Sequence, residues 1–78
     1  MLFISKRKAI KELEEHKTHL YFWQKHSEDF VKEIEENLKR EPDNEGLKIL
    51  YEKEKTAAWH WKKMVEYVDE LIELVQRA

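Results

Sequence analysis

The chain has 78 residues, of which 41% are hydrophobic and 41% charged, with one glycine, one proline and no cysteine. So short a chain forms one domain at most, and so few turn-forming residues exclude β-sandwiches, barrels and α/β enzymes. The absence of cysteine excludes disulfide scaffolds and cysteine-based zinc modules. The net charge is −2, so we expect no strong electrostatic attraction of the whole protein to nucleic acid or to an anionic membrane. The composition therefore predicts an all-helical, soluble protein.

The start of the chain does not have the pattern of a targeting signal. The apolar segment Leu2-Phe3-Ile4 is too short for the core of a signal peptide, and it precedes a basic run instead of following one. No apolar run approaches the roughly 20 residues that cross a bilayer. We therefore expect a cytoplasmic protein with no membrane partner.

The first predicted element is a helix over about residues 5–40. Ser5 is a suitable N-cap, because its hydroxyl can accept a hydrogen bond from a free amide of the first turn. Ile4, just before it, is expected to pack against Ala9. The apolar residues that follow recur every three or four positions, which is typical of an amphipathic helix.

A turn is predicted over about residues 41–44, where the single proline lies. Pro42 disfavours helix in the residue before it, and Asp43 or Asn44 can cap a new helix. A second helix is then predicted over about residues 44–77. At about 1.5 Å per residue each helix is roughly 50 Å long. The predicted fold is thus an all-α antiparallel two-helix hairpin that resembles a coiled coil.

A heptad frame places the apolar residues of both helices along one predicted seam. Folding the chain back about Pro42 sets Trp23 opposite Trp61, and it sets Glu33 opposite Lys53 as an ion pair. The predicted a positions are Leu13, Leu20, Ser27, Ile34, Leu47, Glu54, Trp61, Val68 and Val75. The predicted d positions are Ala9, His16, Trp23, Phe30, Asn37, Leu50, Ala57, Met64 and Leu71.

One flank of this predicted hairpin, formed by the e positions, is largely apolar. A lone hairpin with an a and d seam leaves that flank in water, and an exposed apolar patch marks an interface. We therefore predict that two hairpins pair through it as a homodimeric four-helix bundle. The predicted dimer interface consists of Ile10, Val31, Leu38, Tyr51, Ala58, Val65 and Ile72.

The four histidines raise the question of a metal site, since imidazole is the commonest nitrogen ligand. His16 and His19 are one helical turn apart, and His26 is expected opposite His60. A metal site normally needs three or four ligands with oriented hydrogen-bond partners, and the sequence has no His-Glu-x-x-His or di-iron Glu-x-x-His pattern. We predict no metal and no cofactor. A histidine-based metal-binding bundle is the alternative, with His16, His19, His26 and His60 as its candidate ligands.

Several aromatic residues occupy positions that should face solvent. Phe22 and Trp59 are at such outer positions, and aromatic side chains carry much of the binding energy at interfaces. We predict a partner-binding patch of Phe22, His26, Trp59, His60 and Lys63. The alternative is that some of these rings complete the core or a contact with further helices.

The basic run Lys6-Arg7-Lys8, with Lys11, gives nucleic-acid binding as a weaker alternative. Acidic residues at the end of the second helix are expected near this run and can balance its charge, which opposes the helix dipole. Nucleic acid is therefore not the partner that we expect.

The sequence contains no pattern of a catalytic site. It has no glycine-rich phosphate loop and no nucleophile elbow, so we predict no enzymatic activity. Its size and helical form resemble those of small accessory proteins of bacteria and their phages, which bind and modulate a larger protein. The sequence therefore predicts a non-enzymatic protein that acts by protein–protein contact, as a regulator, an inhibitor or an assembly factor.

Overall fold

The computed structural model describes residues 5–78, which form two helices packed against each other. Helix α1 spans Lys6–Arg40 and helix α2 spans Glu45–Arg77. No strand occurs in residues 5–78, so the prediction of an all-helical two-helix hairpin is confirmed. The predicted contact of Ile4 with Ala9 lies outside the described residues. Within the described chain, neither helix contains an apolar stretch that could pass through a bilayer.

Side-chain caps fix the point at which each helix begins. The Ser5 hydroxyl accepts a hydrogen bond from the Lys8 amide at 3.2 Å. The Asn44 side-chain oxygen accepts one from the Leu47 amide at 3.1 Å. Each bond satisfies an amide that the helix itself leaves free, which is the reason these residue types favour N-caps.

The turn between the helices is closed by two main-chain hydrogen bonds. The Glu41 amide donates to the Asn37 carbonyl at 3.0 Å and ends α1, and the Asn44 amide donates to the Glu41 carbonyl at 3.1 Å. Pro42 is the second residue of the resulting four-residue turn, a position that its fixed φ favours. Pro42 therefore reverses the chain, as the sequence predicts, instead of lying within a continuous helix.

The core is a narrow seam between the two helices. Leu20, Val68 and Ile72 form a buried cluster, and further along the seam Ile34 is only 1% exposed and Ser27 is also buried. Partly buried side chains pack around the cluster: Ile10, Leu13, Trp61 and Val65. The described residues contain no buried side-chain nitrogen or oxygen without a hydrogen-bond partner, so burial of Ser27 leaves no polar atom unsatisfied.

The seam follows the a and e positions, whereas the sequence predicted a and d. Ile72, at an e position, is buried, while Trp23 and Phe30, at d positions, are 48% and 37% exposed. The spacing of three and four residues is the same in both frames, so it does not choose between them. The e positions carry mostly aliphatic side chains that allow close helix packing, whereas an a and d seam has to bury His16 and two large rings.

Two polar contacts between the helices fix their alignment. The Lys17 ammonium and the Asp69 carboxylate form an ion pair at 2.6 Å. The Tyr51 hydroxyl donates a hydrogen bond to the Glu35 carboxylate at 3.2 Å. Both ion-pair side chains are 40–51% exposed, so the pair contributes little to stability but sets which residues share a level.

The predicted ion pair of Glu33 with Lys53 does not form within the hairpin. Neither side chain belongs to an ion pair in residues 5–78, and both are exposed. Both residues are at g positions. When the a and e positions form the seam, the g positions point away from the facing helix. Both charges consequently lie at the edge of one broad side of the hairpin.

Candidate protein-binding surfaces

A row of exposed apolar side chains runs along one broad side of the hairpin. Trp23 and Phe30 of α1 and Leu50 and Met64 of α2 are between 37% and 48% exposed. All four hold d positions, which lie to one side of the a and e seam. In an antiparallel pair of helices, the same heptad position of each helix lies on the same side of the pair. These four residues therefore share one surface, which we call the open face.

Trp23 connects the open face to the core through its contact with Trp61. Its ring stacks on Trp61 with 6.4 Å between the ring centroids and 25° between the planes. Phe22 and His26 meet the same ring edge-on, at 5.4 Å and 5.9 Å. Trp61 in turn packs against the buried cluster of the seam. Because its ring is already held in position, Trp23 loses little side-chain freedom on binding a partner.

The residues of the predicted dimer interface lie in the seam of the hairpin itself. Ile72 is 9% exposed and belongs to the buried cluster, and Ile10 and Val65 pack against that cluster. The other four members are half-buried: Val31, Leu38, Tyr51 and Ala58. The exposed apolar surface that the sequence placed on the e flank thus lies on the opposite, d flank.

The residues of the predicted partner-binding patch fall into two groups. Phe22 and His26 lie on α1, around the ring of Trp23. On α2, Trp59 meets His60 edge-on with 5.1 Å between ring centroids, and the Lys63 ammonium lies 5.5 Å from the Trp59 ring centre. Within residues 5–78 no aromatic contact joins the two groups.

Each of these groups is bordered by its own shallow depression. Phe22, 62% exposed, lines one on α1, and its other lining residues are Thr18, Tyr21, Lys25, His26 and Asp29. Trp59, 55% exposed, lines another on α2 with Glu52, Lys55 and Thr56. Whether either depression binds a partner stays a prediction.

The four histidines take part in no metal-binding cluster of three or more side chains within residues 5–78. In the part of the chain that the structure describes, no group of three or more His, Asp or Glu side chains is arranged to hold a metal ion. His26 and His60 each pack edge-on against a tryptophan of their own helix. His16 and His19 are exposed on α1.

The basic run at the start of α1 is partly engaged by the other end of the chain. The Lys6 ammonium donates a hydrogen bond to the main-chain oxygen of Ala78 at 3.1 Å. Three of the acidic side chains expected to balance the run have other partners, since Glu66 pairs with Lys63, Asp69 with Lys17 and Glu73 with Arg77. The charges of the run are therefore not matched one to one.

The broad side opposite the open face is charged. Its b positions carry Glu28 and Glu35 on α1 and Lys55 on α2, and these three side chains border a groove between the helices. The ion pair of Lys17 with Asp69 lies on this side too. The two broad sides thus differ in character, and among residues 5–78 only the open face presents a row of large apolar side chains.

The sequence did contain a sign of the open face. Trp23, Phe30 and His16 are large or polar side chains for positions that face another helix directly. Their size and polarity favour a seam of a and e residues over a seam of a and d residues. The spacing of apolar residues alone does not distinguish the two. Comparisons with protein-family models, with curated proteins and with solved structures found no match for this chain.

Proposed function

We propose that this chain is a non-enzymatic helical-hairpin protein that acts by protein–protein contact, and that its first partner is a second copy of itself. In this proposal two hairpins pack their open faces together as a homodimeric four-helix bundle. The observation that carries it is the amount of surface that a single hairpin leaves in contact with water.

A single hairpin exposes more surface than a compact protein of its mass. Its accessible surface is 6515 Å², whereas a compact monomer of 9.6 kDa exposes about 5,100 Å². The excess is about 1,400 Å², and each partner in a typical stable interface buries roughly 800 Å². Covering one broad side of the hairpin is enough to remove most of this excess.

The core of the hairpin is small for its length. Within residues 5–78 the buried apolar side chains are Leu20, Ile34, Val68 and Ile72. Proteins at or below about 70–80 residues commonly add a further source of stability, and oligomerisation is one of these. At about 25 cal/mol per Å² of apolar surface, covering the open face adds a few kcal/mol per chain.

The side of the hairpin that carries the open face is also large enough for a second hairpin. The molecule measures 57 × 21 × 14 Å, so its broad side has a footprint of about 1,200 Å². That footprint exceeds the roughly 800 Å² per partner that a stable interface needs. A second copy supplies an apolar surface of the same size and shape, which is the requirement of a two-fold symmetric interface.

The test is sedimentation equilibrium across the micromolar range with two phenylalanine variants. Phe30 belongs to the open face, and Phe22 is more exposed but lies outside it. We expect a wild-type dimer, a dissociation constant at least about tenfold higher for Phe30→Ala, and little change for Phe22→Ala. A wild-type chain that is monomeric throughout while fully helical by circular dichroism contradicts the proposal.

A different protein is the second partner in this proposal. Phe22 and Trp59 lie outside the open face and stay exposed when it is covered. Exposed aromatic rings next to lysines provide apolar contact and charge in one place, a combination common at protein interfaces. A regulator, inhibitor or assembly factor of this kind binds its target through these rings while the dimer stays intact.

A further inference from the structure

We infer that the second copy lies with its α1 over α2 of the first, so that the interface joins unlike helices of the two copies. This inference rests on the proposed homodimer and names the arrangement of its interface. The two-fold axis then runs parallel to the helices.

Two symmetric arrangements are available to hairpins packed face to face. An axis along the helices lays α1 on the partner's α2 and keeps every residue at its own level. An axis across the helices lays α1 on the partner's α1 and reverses the levels about the midpoint. The contacts of Lys17 with Asp69 and Glu35 with Tyr51 fix which residues share a level, so the facing residues of both arrangements can be read off.

Side-chain volume favours the axis along the helices. In that arrangement Phe30 lies opposite the partner's Ala57, and Trp23 lies opposite the partner's Met64. A large ring thus meets a small side chain in one layer and a flexible one in the next, which fills space evenly. An axis across the helices stacks Trp23 on the partner's Trp23, so that the two largest rings of the open faces meet in one layer.

Charge at the edge of the open face favours the same arrangement. Glu33 and Lys53 are exposed at this edge, at the same level of the two helices, and neither forms an ion pair within residues 5–78. With the axis along the helices, Glu33 lies beside the partner's Lys53, and symmetry repeats the pair. With the axis across the helices, Glu33 lies near the partner's Glu12, which places like charges together.

Charge reversal at one position tests the two arrangements with opposite signs. For Glu33→Lys we expect a dissociation constant about threefold to tenfold higher at low salt, because two attractive pairs become repulsive. Adding Lys53→Glu should restore the wild-type value, and high salt should reduce both effects. If Glu33→Lys tightens the dimer instead, the reversed charge lies beside Glu12 of the partner subunit, and the inferred arrangement is wrong.

Cross-linking gives a second measurement that does not depend on charge. The chain has no cysteine, so single-cysteine variants react only at the chosen position. With a short thiol-reactive cross-linker, a mixture of Glu33→Cys and Lys53→Cys should form covalent dimers faster than a mixture of Glu12→Cys and Glu33→Cys. The reverse order overturns the arrangement while leaving the homodimer in place. A wild type that sediments as a monomer overturns the homodimer and the arrangement together.

Discussion

The rings of Trp23 and Trp61 stack across the two helices with 6.4 Å between their centroids. Trp61 is half-buried and packs against the cluster of Leu20, Val68 and Ile72, whereas Trp23 is 48% exposed. One ring of the pair thus belongs to the core and the other to the open face. Through this contact the position of the exposed ring depends on the packing of the seam.

The two tryptophans should therefore differ in what they contribute to stability. Trp61→Ala removes packing from the buried cluster, and we expect it to lower the free energy of unfolding by about 2 kcal/mol or more. Trp23→Ala removes a stacking contact but leaves the seam filled, and we expect a loss of about 1 kcal/mol. Urea denaturation followed by circular dichroism, at a fixed protein concentration, measures both.

Varying the protein concentration distinguishes the stability of the hairpin from the stability that the dimer adds. The loss for Trp23→Ala should grow as the concentration rises, because that ring also contributes to the proposed interface. Equal losses for the two variants at every concentration contradict the division of the pair into a core ring and an open-face ring.

A pair of isoleucines tests which heptad positions form the seam. Ile72 is 9% exposed at an e position, and Ile49 is 62% exposed on the outer side of α2. Ile72→Ala leaves a cavity in the buried cluster, so we expect it to lower the free energy of unfolding by about 2–4 kcal/mol. Ile49→Ala is the matched control and should change it by no more than about 0.5 kcal/mol. Similar small changes for both variants indicate that Ile72 is not in the core.

The turn offers a test of the second helix cap. Asn44 accepts a hydrogen bond from the Leu47 amide, and Asn44→Ala leaves that amide without its partner. We expect this variant to lower the free energy of unfolding by about 1 kcal/mol. Asp43→Ala, one residue earlier, is the control and should cost about 0.5 kcal/mol or less. A larger loss for Asp43→Ala than for Asn44→Ala contradicts the assignment of Asn44 as the cap.

The local features of this fold could be predicted from the sequence because each depends on neighbouring residues. Ser5 caps α1, and Pro42 lies in the turn that reverses the chain. For α2 the sequence left Asp43 and Asn44 as alternatives, and hydrogen-bond geometry selects Asn44. The predicted alignment of Trp23 with Trp61 is confirmed by their stacking, because the position of the turn sets the register of a hairpin.

The orientation of the helices about their own axes could not be predicted in the same way. A seam of a and d residues and a seam of a and e residues have the same apolar spacing, and the choice depends on how side chains fit across the interface. Trp23, Phe30, Leu50 and Met64 move from the core to the surface through this choice alone. The same rotation places His26 and His60 outside the seam, where each packs edge-on against a tryptophan of its own helix.

The outer rings test whether partner binding can be separated from the fold. Phe22 is 62% exposed and Trp59 is 55% exposed, and they belong to groups on different helices. The double variant Phe22→Ala, Trp59→Ala should keep the helicity and the proposed dimer, because exposed side chains contribute little to stability. In a pull-down from the native host, a specific protein captured by the wild type should be lost with this variant.

The two single variants decide whether the rings act as one surface. If a single partner spans both groups, Phe22→Ala and Trp59→Ala should each weaken its capture, and the double variant should weaken it further. Ile49→Ala is a suitable control, since Ile49 is as exposed as Phe22 but lacks a ring. Loss of helicity in the double variant shows instead that these rings stabilise the fold, and capture that is unchanged by the double variant contradicts their role in binding.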